Sequence, residues 1–168
     1  SLHDALPILL YVKTELHSVE YATSNGFLEQ VWCRISDGDS RDLLVGVCYR
    51  TPTENVFGKS NHAELRDLLV EIKDQHVLLM GDFNYPDIDW ESMQTKSGAS
   101  MECRSFLDCV EESFLIQHVH IPTRDRAILD LIITDEPDMV WDIKDLGRFA
   151  SSDHNLLFFG AEAYIKFN

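Results

Sequence analysis

Apolar positions along the chain follow two rhythms. Leu28 to Ile35 alternates, with Val31 and Cys33 opposite Trp32 and Arg34, which predicts a half-buried strand. Leu43 to Tyr49 is a denser apolar run suited to a buried strand, and Val77-Leu78-Leu79-Met80 is another. Between them Leu65, Leu68, Leu69 and Ile72 fall at i, i+3, i+4 and i+7, behind an Asn61 N-cap with Glu64 three residues on. A second helical stripe, Cys103, Phe106, Leu107 and Val110, predicts a helix from about Ser100 to Glu112. Leu9–Val12, Phe114–Val119, Leu129–Thr134, Met139–Ile143 and Leu156–Phe159 read as further strands. Asp37-Gly38-Asp39 reads as a turn, Thr51-Pro52-Thr53 as a break, and Tyr85 to Ala99 as a polar, turn-rich loop. Strands that outnumber helices, with helices spaced between them, predict a layered α/β domain.

Composition adds a puzzle. The chain has 168 residues, 14 Lys+Arg against 29 Asp+Glu, and a formal charge of −15. Its 45% hydrophobic and 26% charged content is ordinary for a globular domain. Such acidity argues against a basic nucleic-acid-binding surface, because Lys and Arg make most phosphate contacts. No apolar run approaches a membrane span and nothing basic precedes Leu6–Val12, so no signal peptide is expected. Cys33, Cys48, Cys103 and Cys109 lie in apolar stretches without metal or redox spacing, which favours buried thiols and a reducing, nuclear or cytoplasmic home.

Chemistry gathers at strand ends. Tyr49 closes one strand, Asp82 and Asn84 follow the next, and Ser152-Asp153-His154-Asn155 precedes the last. Asp130 is the sole charge in Ile128–Ile133, and a carboxylate there needs a partner. His154 is the natural one, since a carboxylate on one ring nitrogen orients the other. Carboxylates with an Asn also suit Mg2+. Asp82-x-Asn84 begins like a Ca2+ loop, but Pro86, Asp87 and Met93 occupy positions that motif forbids. His118-x-His120 lacks a third ligand at zinc spacing, leaving surface histidines or phosphate contacts.

Val45-Gly-Val-Cys-Tyr-Arg-Thr-Pro52, Leu78-Leu-Met-Gly-Asp-Phe-Asn-Tyr-Pro-Asp-Ile-Asp-Trp90, Pro122-Thr-Arg124 with Leu129-Asp-Leu131, and Ser152-Asp-His154 occur in that order. The set resembles the endonuclease/exonuclease/phosphatase superfamily, and within it the apurinic-type endonuclease domain of non-LTR retrotransposons of the chicken-repeat and jockey-like kind. The resemblance implies a four-layer α/β sandwich, two packed β-sheets flanked by helices, over residues 9–160, with 161–168 as a tail. It implies hydrolysis of a DNA phosphodiester with Mg2+, or Mn2+, beside the reverse transcriptase region of one polyprotein, and no membrane. By the resemblance, Asp82 would activate water, Asn84 would orient it, and His154 would contact the scissile phosphate. Asp130 would orient His154, Tyr49 would touch a phosphate oxygen, and Asp153 would lie beside the metal. Ser152, Arg50 and one of Gln117 or His118 would serve substrate binding, Thr123 being a turn residue.

Departures from the family pattern matter as well. Its first strands, carrying an Asn and the principal metal-binding Glu, have no counterpart here, so the sandwich is expected to lack them. Ser1 to Ile8 reads as a translated sequencing-library adapter and is set apart from the fold. The polypeptide as it stands is therefore expected to nick DNA very little. Two other readings stand beside this one: a phosphoesterase of the same superfamily acting on RNA or lipid headgroups, and a non-catalytic remnant.

Overall fold

The computed structural model describes residues 8–36, 41–52, 61–148 and 150–162. The expected adapter segment up to Pro7, the Asp37–Asp39 turn, Thr53 and the tail from residue 163 lie outside them. The chain forms β1 (Ser18–Tyr21), β2 (Gln30–Ile35), β3 (Leu43–Tyr49), α1 (His62–Ile72), β4 (His76–Asp82), β5 (Ile88–Asp89) and β6 (Gln94–Thr95). It continues through α2 (Met101–Glu112), β7 (Ile116–Gln117), β8 (Asp130–Thr134), β9 (Val140–Arg148) and β10 (Asn155–Ala161). Six strands make one sheet in the order β1-β2-β3-β4-β8-β7, while β9 and β10 pair as a separate two-stranded sheet.

The central strands are buried on both faces. Leu44, Leu79, Leu131 and Ile133 point to one side, where they meet Leu65, Leu68, Leu69 and Ile72 of α1 and Phe106 and Val110 of α2. Val45, Leu78 and Ile132 point to the other, where Met139 and the half-buried Val140, Ile143, Leu157 and Phe159 of the β9–β10 hairpin cover them. The result is a mixed α/β fold, helices on one face of a large sheet and a second sheet on the other. Among the described residues no helix covers the hairpin's outer side, and Trp141, Leu146, Leu156 and Phe158 are exposed there.

Several expectations are corrected. Leu9–Val12 is not a strand: Leu9 and Tyr11 face solvent, and only Leu10 and Val12 pack on the core. A short 3-10 turn (Thr14–Leu16) follows, and the edge strand β1, hidden by its largely exposed side chains, takes the place beside β2. Asn61 begins α1 without a side-chain cap, whereas the Ser100 hydroxyl caps α2 by accepting from the Cys103 N–H at 3.1 Å. Tyr85–Ala99 is no free loop. Phe83, Tyr85 and Trp90 ring Phe106 at centroid distances of 5.6, 4.4 and 6.4 Å, which staples the segment after β4 to α2.

Gly81 fixes how β4 ends. It lies at φ +146°, and a Cβ there would stand 1.8 Å from the Cys48 carbonyl oxygen on β3. Gly98 also has positive φ but faces open space. Gly81→Ala is expected to lose about 3 kcal/mol or more by urea denaturation, against about 1 kcal/mol for Gly98→Ala, where only backbone strain applies.

Candidate active site

Sheet register builds the site. On the hairpin-facing side the rungs run Val45–Leu78–Thr134, then Val47–Met80–Ile132, then Tyr49–Asp82–Asp130. Paired residues on neighbouring strands stand about 4.8 Å apart and share a face. The last rung of a largely apolar ladder is therefore a phenol and two carboxylates, side by side. β3 and β4 end there, and β8 begins there because it runs antiparallel to β4.

Thr123 brings in the fourth member. Fully buried, its hydroxyl accepts from the N–H groups of Leu129 (3.0 Å) and Asp130 (3.1 Å), pinning the start of β8. Its carbonyl accepts from the N–H of Asn155 at 2.8 Å, pinning the start of β10. One residue so holds Asp130 and His154 together, a positioning role beyond the turn residue expected from sequence. Ser152 supports the same corner by accepting from the His154 N–H at 3.1 Å.

His154 Nδ1 lies 2.8 Å from Asp130 Oδ2. An ionised carboxylate only accepts, so Nδ1 carries the proton and Nε2 is turned toward Asp82. Nε2 stands 3.6 Å from Asp82 Oδ2, 4.0 Å from Asp153 Oδ1 and 3.5 Å from an Arg124 Nη. Arg124 also reaches Asp153 at 3.6 Å. Sequence reasoning assigned Arg124 no role, although it follows Thr123 in the quoted motif. Asn84 adopts φ +52°, which Asn tolerates better than most residues. Its N–H donates to Asp82 Oδ1 (3.0 Å) and its side-chain amide donates to the Arg50 carbonyl (2.8 Å), leaving the amide oxygen for other partners.

Three residues expected to bind substrate are committed elsewhere. Arg50 is buried; its guanidinium donates to the carbonyls of Phe83 (3.2 Å) and Asn84 (3.0 Å) and lies 3.9 Å over the Tyr85 ring. It shapes the Asp82–Tyr85 turn from below. Gln117 folds its amide onto the Val119 backbone, and His118 Nε2 bonds the Thr134 hydroxyl at 2.7 Å. β7 pairs with the far end of β8, at Ile133 and Thr134, so both side chains are removed from Asp130.

Electrostatics mark Asp82. Burial first, and the Asp130 charge second, push its carboxyl up to about 6, against partial relief from His154, the Asn84 N–H and Arg124. Burial, then Asp82 and Glu29, likewise raise the Tyr49 phenol. Two carboxylates held together in a half-buried pocket resist double ionisation, and a cation between them removes the conflict. Asp82, Asp130 and His154 offer ligand atoms within 4.8 Å of one another, with Asp153 at the rim. Predominantly carboxylate oxygen donors of this kind suit a hard divalent ion.

A family model described as endonuclease-reverse transcriptase matches residues 43–158. No curated protein matches the chain in sequence. Among solved structures the chain is similar to the endonuclease domain of TRAS1, a telomere-specific non-LTR retrotransposon: 14% identity, TM-score 0.63, covering 90% of this chain and 71% of that one. It is similar also to an endonuclease/exonuclease/phosphatase family protein from Leptotrichia buccalis C-1013-b, at 17% identity and TM-score 0.52 over 80% of this chain and 54% of that one. An AP endonuclease from Archaeoglobus fulgidus matches at 12% identity and TM-score 0.53, over 80% of this chain and 65% of that one. The chain thus spans under two thirds of the last two structures. At these identities the likeness is one of fold.

The Asp82 shift has a consequence for stability. A carboxyl that titrates near 6 when folded and near 3.8 when unfolded holds its proton more tightly in the folded chain. Its contribution is complete below pH 3.8 and is lost as pH rises through about 6. Asp82→Asn is therefore expected to stabilise the protein by about 1–3 kcal/mol at pH 8 in EDTA and to leave it nearly unchanged at pH 3.5, read by urea denaturation at both values.

Proposed function

Because this chain belongs to the endonuclease-reverse transcriptase family, we propose that it hydrolyses DNA phosphodiesters at the Asp82–Asp130–His154 centre, with Mg2+ as its cofactor. The family supplies the reaction class, phosphodiester hydrolysis. The observation that carries the assignment to these residues is the 2.8 Å Asp130–His154 bond, which turns Nε2 toward a carboxylate pushed up to about 6.

Asp82, one oxygen held by the Asn84 N–H and the other turned toward His154 Nε2, is suited to position and help deprotonate the attacking water. Asn84, anchored through its amide nitrogen, presents its oxygen to that water. His154 meets the scissile phosphate through Nε2, and Asp130 holds the ring and stabilises its protonated form. Arg124 and the Tyr49 hydroxyl would meet the charge that develops on the phosphate oxygens. Asp82, Asp130 and Asp153 would hold the ion, which when bound neutralises phosphate charge and polarises the phosphorus centre. Arg50, Thr123 and Ser152 position these groups without touching substrate.

Relaxation of supercoiled plasmid, with protein in excess over DNA, tests this. Slow Mg2+-dependent conversion to nicked circles is expected, reduced at least about 100-fold by His154→Ala. Nicking that persists in EDTA, or that survives His154→Ala, contradicts the assignment.

A further inference from the structure

Beside the catalytic rung lies a cavity of about 490 Å3 whose walls continue the catalytic segments. Pro86 follows Asn84 by two residues, and Ile128 precedes Asp130 by two. Three basic side chains line it: Lys96, His120 and Arg126. In a chain with 14 Lys+Arg against 29 Asp+Glu, a lining where two cations match two acids departs from the overall charge. Arg126 is exposed and makes no hydrogen bond or ion pair with any described residue. Lys96 donates to the Pro86 carbonyl at 2.8 Å, which holds its ammonium at the wall. Two acids share the lining, but the Asp89 carboxylate is turned into its own loop, accepting from the N–H groups of Glu91 and Ser92 and the Ser92 hydroxyl. Glu91 is exposed.

Behind the wall lies a buried donor without an acceptor. Trp90 is 3% exposed and packs edge-on against Phe106, yet its indole N–H has no partner among the described residues. An unpaired buried donor is disfavoured unless a water or ligand oxygen meets it. The unpaired Arg126, with Lys96 held at the wall beside the proposed scissile-phosphate site, asks for an anionic oxygen ligand.

We propose that this cavity is a backbone subsite, binding a phosphate of the nucleic-acid strand next to the phosphate being cut, through Lys96, Arg126 and His120. The inference rests on the nuclease reading and adds to it where an acidic protein finds its grip. Binding of a fluorescein-labelled DNA duplex, followed by anisotropy in EDTA across a salt series, is the test. In Lys96→Ala/Arg126→Ala the slope of log affinity against log salt is expected to become shallower by about 2, and in Arg126→Gln alone by about 1. Arg66→Ala/Lys73→Ala removes the same charge from exposed positions on and just after α1, and is expected to leave the slope unchanged. Circular dichroism confirms that each variant is folded, and Arg126→Gln keeps the test sound if the Lys96 variant is not. A wild-type slope in folded Arg126→Gln, or an equal loss in the α1 pair, overturns the subsite alone. No measurable binding by the unaltered chain overturns the subsite together with the reading it rests on.

Discussion

Two carboxylates on adjacent strands are forced into one another's field, and the rest of the site answers that conflict. Asp82 and Asp130 are register partners at the end of a largely apolar ladder. Neither can move away: Gly81 locks β4 against the Cys48 carbonyl, and the Thr123 hydroxyl holds the N–H groups of Leu129 and Asp130. Burial, with the Asp130 charge adding to it, drives the Asp82 carboxyl up to about 6. His154 and Arg124 are drawn to the pair, and room remains at its rim for Asp153. A divalent cation fits the same field, so acidity at the centre is compatible with the phosphodiester hydrolysis proposed for it.

This arrangement changes how the net charge of −15 reads. Composition alone argues against a nucleic-acid partner, but composition averages over the surface. Arg124 stands against His154 and Asp153, and Lys96, His120 and Arg126 line a cavity built from the adjoining segments. Local sign, not the total, meets the substrate. The aromatic cluster around Phe106 is what allows this, since it fixes the segment from Phe83 to Trp90 as a wall rather than a mobile loop.

Much of the frame was legible because burial imposes a period. α1, α2, β3 and β4 are buried on a face or on both sides, and their apolar spacing shows it. β1 and most of β9 are exposed, so no period marks them; β9 runs to Arg148, well past the expected Ile143. Leu9–Val12 misled because apolar content without pairing partners does not make a strand. The stapled segment after Asn84 escaped notice because Tyr85, Ile88 and Trp90 follow neither helix nor strand spacing. At the site, the motifs marked the residues that converge: Asp82, Asn84, Asp130, His154 and Tyr49. What they could not show is which neighbours are consumed by structure. Arg50, Gln117 and His118 sit near motif residues in sequence but donate to, or bond, the protein itself. Thr123 joins two strand starts through tertiary hydrogen bonds, which leave no pattern in a single sequence.

The central claim is that Asp82 and Asp130 form a cation site by virtue of being held together. Titration of Mg2+ followed on the side-chain carboxyl carbon resonances tests it most directly. The account predicts that the Asp82 and Asp130 signals move together and saturate, while solvent-facing carboxylates such as those of Asp67 and Asp108 stay still. Uniform small shifts across all carboxylates, or none at Asp82 and Asp130, would contradict it.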